Sequence, residues 1–169
     1  MPKTALMLLA PTNFRDEEYY ETREVLEKHK IKVTTTSTNQ IAESKTGKHE
    51  EVDLLLNEIE DSYDALILVG GGGSRAYYED TEVLELAKKY AAEKKLVAAI
   101  CAALGILAHA GLLEGKKAVS TEDDKALLES KGAVLVQEDV VVDGNIITAS
   151  GPPASKAFGE AIAKKLKEK

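Results

Sequence analysis

Cys101 is the only cysteine in a chain of 169 residues. It stands where the apolar run Leu96–Ile100 hands over to the helix-like stretch AALGILAHAG. A thiol at a sharp strand-to-helix turn meets the unpaired amide donors of a helix start. Those donors favour the thiolate and can bring a pKa of about 8.5 down to about 4–7, which makes a nucleophile. Free cysteine is also among the most buried residue types, so this position alone leaves a space-filling role open. Two further stretches bear on the choice. In LILVGGGGSRAYYED, four glycines follow an apolar run, and glycine lets backbone amides approach a ligand closely enough to form an anion nest or half of an oxyanion hole. The run lacks the Gly-Lys-Ser/Thr ending of a nucleotide loop, and its glycine register has no following helix with a paired acid on a later strand. In TNFRDEEYY, acids open a predicted helix, where they suit its dipole. A carboxyl buried beside a thiol would instead keep its proton, donate to sulfur and serve as general acid and base.

The elements that must carry these residues alternate. Strands are predicted over 4–10, 31–37, 64–69 and 96–100, helices over 16–30, 81–95, 102–111, 122–132 and 152–169, and a short helix or helical turn over 51–59. Thr81 is the expected cap of its helix, Gly132 an expected C-terminal stop, and prolines enter the last helix. Asp143-Gly144 between β-rich segments marks a hairpin. The pattern is that of a mostly parallel α/β sandwich with an appended hairpin, in which Cys101 falls at the carboxyl edge of the sheet, where open α/β folds place their sites.

Composition narrows the partners. With 44% hydrophobic residues the chain can bury one sizeable core, so one domain over 1–169 is expected. A net charge of -7 argues against nucleic-acid and membrane surfaces. A lone cysteine and the absence of a long apolar segment point to a reducing, cytoplasmic setting. The three histidines offer no metal-ligand spacing. His109, eight residues past Cys101 on the following helix, is expected to be structural, and His29 suits a helix C-terminus. His49 falls in a predicted loop. Tyr77 and Tyr78 are candidates to face a partner, although isolated surface aromatics are ordinary.

Over nearly the whole chain these stretches resemble the ThiJ/PfpI superfamily: LLAPTNFRDEEYYETREVL, TGKHEEVDLLLNEI, YDALILVGGGGS, KKLVAAICAALGILAHAGLLEGKKA and VVVDGNIITASGPPASKAFGEAI. The resemblance implies a flavodoxin-like three-layer sandwich with helices on both faces and a nucleophile elbow. It implies that Cys101 is the reactive thiol and Glu18 the acid touching it, with Glu17 the neighbour that one residue of slippage would substitute. The glycine turn maps onto Gly70 and Gly71, and the amides of Gly71 and Ala102, with that of Gly70, are the expected oxyanion donors. The match is incomplete. Ala102, Ala103 and Leu104 follow the cysteine where many relatives have His-Gly-Pro or Ala-Gly-Pro, and Thr121 stands about where one branch has a histidine.

The activity that the resemblance implies is cofactor-independent, cysteine-dependent chemistry on small reactive dicarbonyls such as methylglyoxal, of glyoxalase or deglycase type, in a homodimer or higher homo-oligomer. A non-enzymatic thiol redox sensor or stress protein is the alternative, since an accessible low-pKa thiol oxidises readily. A PfpI-type cysteine peptidase comes third, because an amine leaving group wants a general acid that no residue near Cys101 in the sequence supplies.

Overall fold

The computed structural model describes residues 2–168. Its frame is a seven-stranded sheet whose innermost strands are continuous apolar runs, as strands covered on both faces must be. In chain order the elements are β1 (Thr4–Leu8), α1 (Asp16–Lys28), β2 (Lys32–Ser37), β3 (Ile41–Glu43), β4 (His49–Glu51), β5 (Leu54–Leu55), β6 (Ala65–Leu68), α2 (Thr81–Ala92), β7 (Leu96–Ile100), α3 (Leu104–His109), β8 (Lys117–Ala118), α4 (Lys125–Ser130), β9 (Val134–Leu135), β10 (Val140–Asp143), β11 (Ile146–Ala149) and α5 (Ser155–Lys167). The large sheet runs β10-β11-β7-β6-β1-β2-β5. All its pairings are parallel except the β10–β11 hairpin, in which Asp143 faces Ile146 across Gly144. Every residue of β6 and β7 is fully buried.

Helices α1 and α5 pack against each other, and α5 also covers β7 and β11; α2 covers β6 and β7 and meets α3, which meets α4. This is the three-layer, flavodoxin-like arrangement. Gly159 is the point of closest approach between α1 and α5, since a Cβ there would lie 2.9 Å from Val25 Cβ and 3.2 Å from Thr22 O. Among the described residues no helix is long and apolar enough to cross a membrane.

Several expectations are corrected. Of residues 51–59 only Leu56–Glu58 make a helical turn, of 3-10 type; the residues before it finish β4 and form β5. Asp53, through its carboxylate, accepts from the N–H and hydroxyl of Thr35 and so fastens this segment beside β2. His49 lies in a strand, not a loop, because β3 and β4 form an antiparallel hairpin. Helix α2 is capped by Asp80, which accepts from the N–H groups of Glu82 and Val83, rather than by Thr81. The prolines Pro152 and Pro153 form a 3-10 turn ahead of α5. Tyr77 is buried, its hydroxyl donating to Leu9 O at 2.8 Å, and Tyr78 is half-buried against His109, so neither is an exposed partner-facing aromatic.

Candidate functional site

The ends of β1, β6 and β7 converge on one small pocket. At the end of β7 the chain turns abruptly into the 3-10 turn Cys101–Ala103 and then α3. Cys101 takes φ 57°, in the left-handed region. A non-glycine residue there is held against its own preference by the surrounding packing, a cost of order 1–3 kcal/mol. Tyr78 contributes to that hold, since its hydroxyl donates to Ala102 O at 2.5 Å. The thiol is left half-buried, facing the pocket.

Glu18 comes to the thiol from the first turn of α1 and is fully buried. Neither of its oxygens completes a well-formed hydrogen bond with a protein donor, although the Cys101 thiol and the Gly70 N–H both face it. Gly70 makes room: a Cβ there would sit 2.3 Å from Glu18 Oε1 and 2.5 Å from Ile100 O. Glu17 points away, binding Arg15 at 2.9 Å with its side chain 37% exposed. The one-residue ambiguity in the sequence is thereby resolved geometrically in favour of Glu18.

Electrostatics at the pair run against a resting thiolate. Burial pushes the Cys101 thiol up to about 12, and a charged Glu18 pushes the same way, while the Ala102 N–H pulls it down. The expected lowering by amide donors is thus outweighed by desolvation. Burial also pushes Glu18 up to about 8, against the opposing pull of the thiol and of Arg15. Near neutral pH Glu18 is mainly the carboxylic acid, so it then meets the sulfur as a proton donor and not as a repelling charge.

The pocket has a volume of about 190 Å³. Gly71 and Ala102 line it together with Cys101 and Glu18. Gly70 does not: its N–H is directed at Glu18, which takes it out of the expected set of oxyanion donors. Gly71 has φ 107°, and a Cβ would meet Asn13 O and Arg15 N at 2.5 Å. Only glycine fits that turn. The rim carries residues that the sequence reading did not single out: Arg15, Lys45, Arg75 and Asp123, with Thr121 where a histidine was considered. Arg75 reaches there by binding both oxygens of buried Asp124, at 3.1 and 3.0 Å. Its place two residues after the glycine run, and that of Arg15 three residues before Glu18, were the available signals.

No histidine lines the pocket. His109 stacks on Tyr78, with ring centroids 4.9 Å apart, and contacts Gly105 O through Nδ1. His29 lies between Glu160 and Lys167, and His49 pairs with Glu43. Among the described residues no three of His, Cys, Asp and Glu are grouped as metal ligands would be.

Comparison with known proteins agrees with this architecture. The DJ-1/PfpI family profile matches residues 3–165. An uncharacterised protein of Methanocaldococcus jannaschii is 39% identical, over 96% of this chain and 82% of its own. A Pyrococcus abyssi protein named as a deglycase is 33% identical over 96% of this chain and 99% of its own. The crystal structure of a ThiJ/PfpI domain protein from Brachyspira murdochii superposes with a TM-score of 0.96 at 32% identity, covering 100% of this chain and 99% of that one. The chain belongs to the DJ-1/PfpI family.

Proposed function

We propose that this chain is a cofactor-independent cysteine enzyme acting on reactive dicarbonyls, of glyoxalase or deglycase type, with Cys101 as nucleophile and Glu18 as proton shuttle. The observation that carries the reading is a fully buried carboxyl with both oxygens unsatisfied, facing a strained, half-buried thiol at the wall of a small pocket. A buried polar group without partners costs stability, and such costs concentrate where chemistry needs them. Relatives named as deglycases support the same class.

In the reaction the pair gives up one proton and the Cys101 sulfur adds to the aldehyde carbon. The Gly71 and Ala102 amides receive the developing oxyanion. Glu18 carries the proton to that oxygen, then moves the proton from the aldehyde carbon to its neighbour, leaving a thioester. Water hydrolyses the thioester, returning the thiol and releasing a 2-hydroxy acid. One C–S bond forms and one breaks, and no external oxidant is needed. Hydrolysis of a glycated adduct would use the same groups.

The sensor reading has one supporting feature, the Ala102 N–H and the Glu18 proton both facing the sulfur, where they would hold an oxidised product. A thiol raised by burial is a poor target for peroxide and a weak resting nucleophile alike, so the shift does not separate the two readings. The peptidase reading gains no histidine in the pocket. The test is conversion of methylglyoxal to lactate without added thiol. Turnover is expected in the wild type, should vanish in Cys101→Ser and should fall at least a hundredfold in Glu18→Gln. Equal inactivity of all three, with mild peroxide adding two oxygens to the wild type alone, would replace the enzyme with the sensor.

A further inference from the structure

The molecule carries a net charge of -7, yet three cations gather around its single thiol. Arg15, Lys45 and Arg75 reach the pocket from three separate segments, with Asp123 beside them at the rim and with Glu17 and Asp124 paired to the two arginines. Both arginines lie within electrostatic reach of Cys101. Their existing pairs orient them without exhausting them. Arg15 gives Nε and Nη2 to Glu17, which leaves Nη1. Arg75 gives only Nη2 to Asp124, which leaves Nε and Nη1. Lys45 has an exposed side chain with no ion-pair partner among the described residues, and its backbone is pinned beside the site by a bond from its N–H to Phe14 O at 2.8 Å. Glu18 is wholly buried at the same pocket, and neither of its oxygens completes a well-formed hydrogen bond.

A neutral dicarbonyl needs no such ring of donors. Guanidinium groups held by carboxylates, with free N–H edges toward a small cavity, recognise a carboxylate or a phosphate. We propose that the pocket selects carbonyl substrates bearing an anionic group, a 2-oxoaldehyde with a carboxylate or phosphate tail, whose tail is met by Arg15, Lys45 and Arg75 while its aldehyde meets Cys101. This rests on the dicarbonyl reading and narrows its substrate class. The atoms balance as before: the oxoaldehyde and one water give the 2-hydroxy acid, with the tail unchanged.

Two measurements test it. The first compares kcat/KM for 4,5-dioxopentanoate, read as 2-hydroxyglutarate, with that for methylglyoxal. The wild type is expected to favour the anionic substrate at least tenfold, and the ratio to fall at least fivefold in Lys45→Gln/Arg15→Gln and in 0.5 M salt. Both side chains sit at the surface, so the variant avoids stranding buried Asp124. Replacing the carboxylate tail by a phosphate one then separates the two tail chemistries. The second measurement needs no turnover. The ratio of Cys101 alkylation rates by iodoacetate and by iodoacetamide should exceed that of free cysteine and drop in the same double variant. A wild-type alkylation ratio equal to that of free cysteine, or a substrate ratio unmoved by the double variant, overturns anion selection. Failure of both aldehydes to turn over while the alkylation preference persists overturns the dicarbonyl activity and leaves anion selection standing.

Discussion

At the scale of single residues, the chemistry depends on one proton shared between Cys101 and Glu18. With the carboxyl near 8 and the thiol near 12, the first proton to leave the pair is the carboxyl's, around pH 8; the form left is mainly carboxylate and thiol, and its minor tautomer, with the thiol proton passed to Glu18, is the one that holds a nucleophile together with an acid. kcat/KM is therefore expected to rise with pH through a midpoint of about 8. In Glu18→Gln the residual rate should rise only at higher pH, following the thiol. Initial rates from pH 6 to 9.5 check this, and a wild-type profile flat across that span would show that a thiolate is already present at neutral pH. Gly70 is the companion position. Gly70→Ala would place a methyl group on Glu18 Oε1 and Ile100 O, so the carboxyl is expected to be displaced, with activity falling about as far as in Glu18→Gln. Cys101 was legible in the sequence because it is unique, whereas Glu18 stood out from its acidic neighbours only through the family resemblance. The direction of the thiol's shift was not legible, because desolvation depends on what packs over the sulfur.

At the scale of elements, the helix that delivers Glu18 is fastened by a hairpin. Tyr19 and Tyr20 of α1 each donate to Glu50 of β4, both at 3.1 Å, and Asp16 accepts from the N–H and hydroxyl of Thr46 in the turn between β3 and β4. Tyr19 is fully buried, so removing its acceptor leaves a hydroxyl without water to replace it. Glu50→Ala is expected to destabilise the protein by about 2 kcal/mol and to lower activity as α1 loosens. Denaturant unfolding checks the first effect, and faster amide exchange confined to the start of α1 checks the second. This hairpin also marks where the sequence was hard to read. β1, β6 and β7 announce themselves as apolar runs, whereas β3 and β4 are three residues each and mostly exposed. Leu54, Leu55 and Leu56, read as part of a short helix or helical turn, form a half-buried strand and the start of a 3-10 turn instead. The cations at the pocket were illegible for a related reason: Arg15, Lys45 and Arg75 are unremarkable until folding brings three loops to one place.

At the scale of the whole molecule, the buried carboxyl ties stability to pH. Glu18 has a folded value of about 8 against an ordinary value of 4.5. Its favourable contribution is therefore complete below about pH 4.5, is lost progressively as pH rises toward 8, and stays lost above that. The slope is about 1.4 kcal/mol per pH unit, so about 3 kcal/mol is gone by pH 7. Glu18→Gln has no carboxylate to desolvate and escapes this loss. Whatever the amide costs in packing is nearly constant with pH, so the difference in unfolding free energy between variant and wild type isolates the titration. That difference is expected to move in favour of the variant by several kcal/mol between pH 4.5 and 8.5, corresponding to a relative shift in Tm on the order of 10 °C. Keeping the range below pH 9 leaves out the thiol, whose own loss begins above its ordinary value of 9.0. Parallel stability curves for the two proteins would mean that Glu18 is already ionised in the fold, and the proton that the reaction borrows from it would have to come from elsewhere. Diverging curves, with the variant inactive where it is most stable, would identify the buried acid as stability given up for chemistry at Cys101.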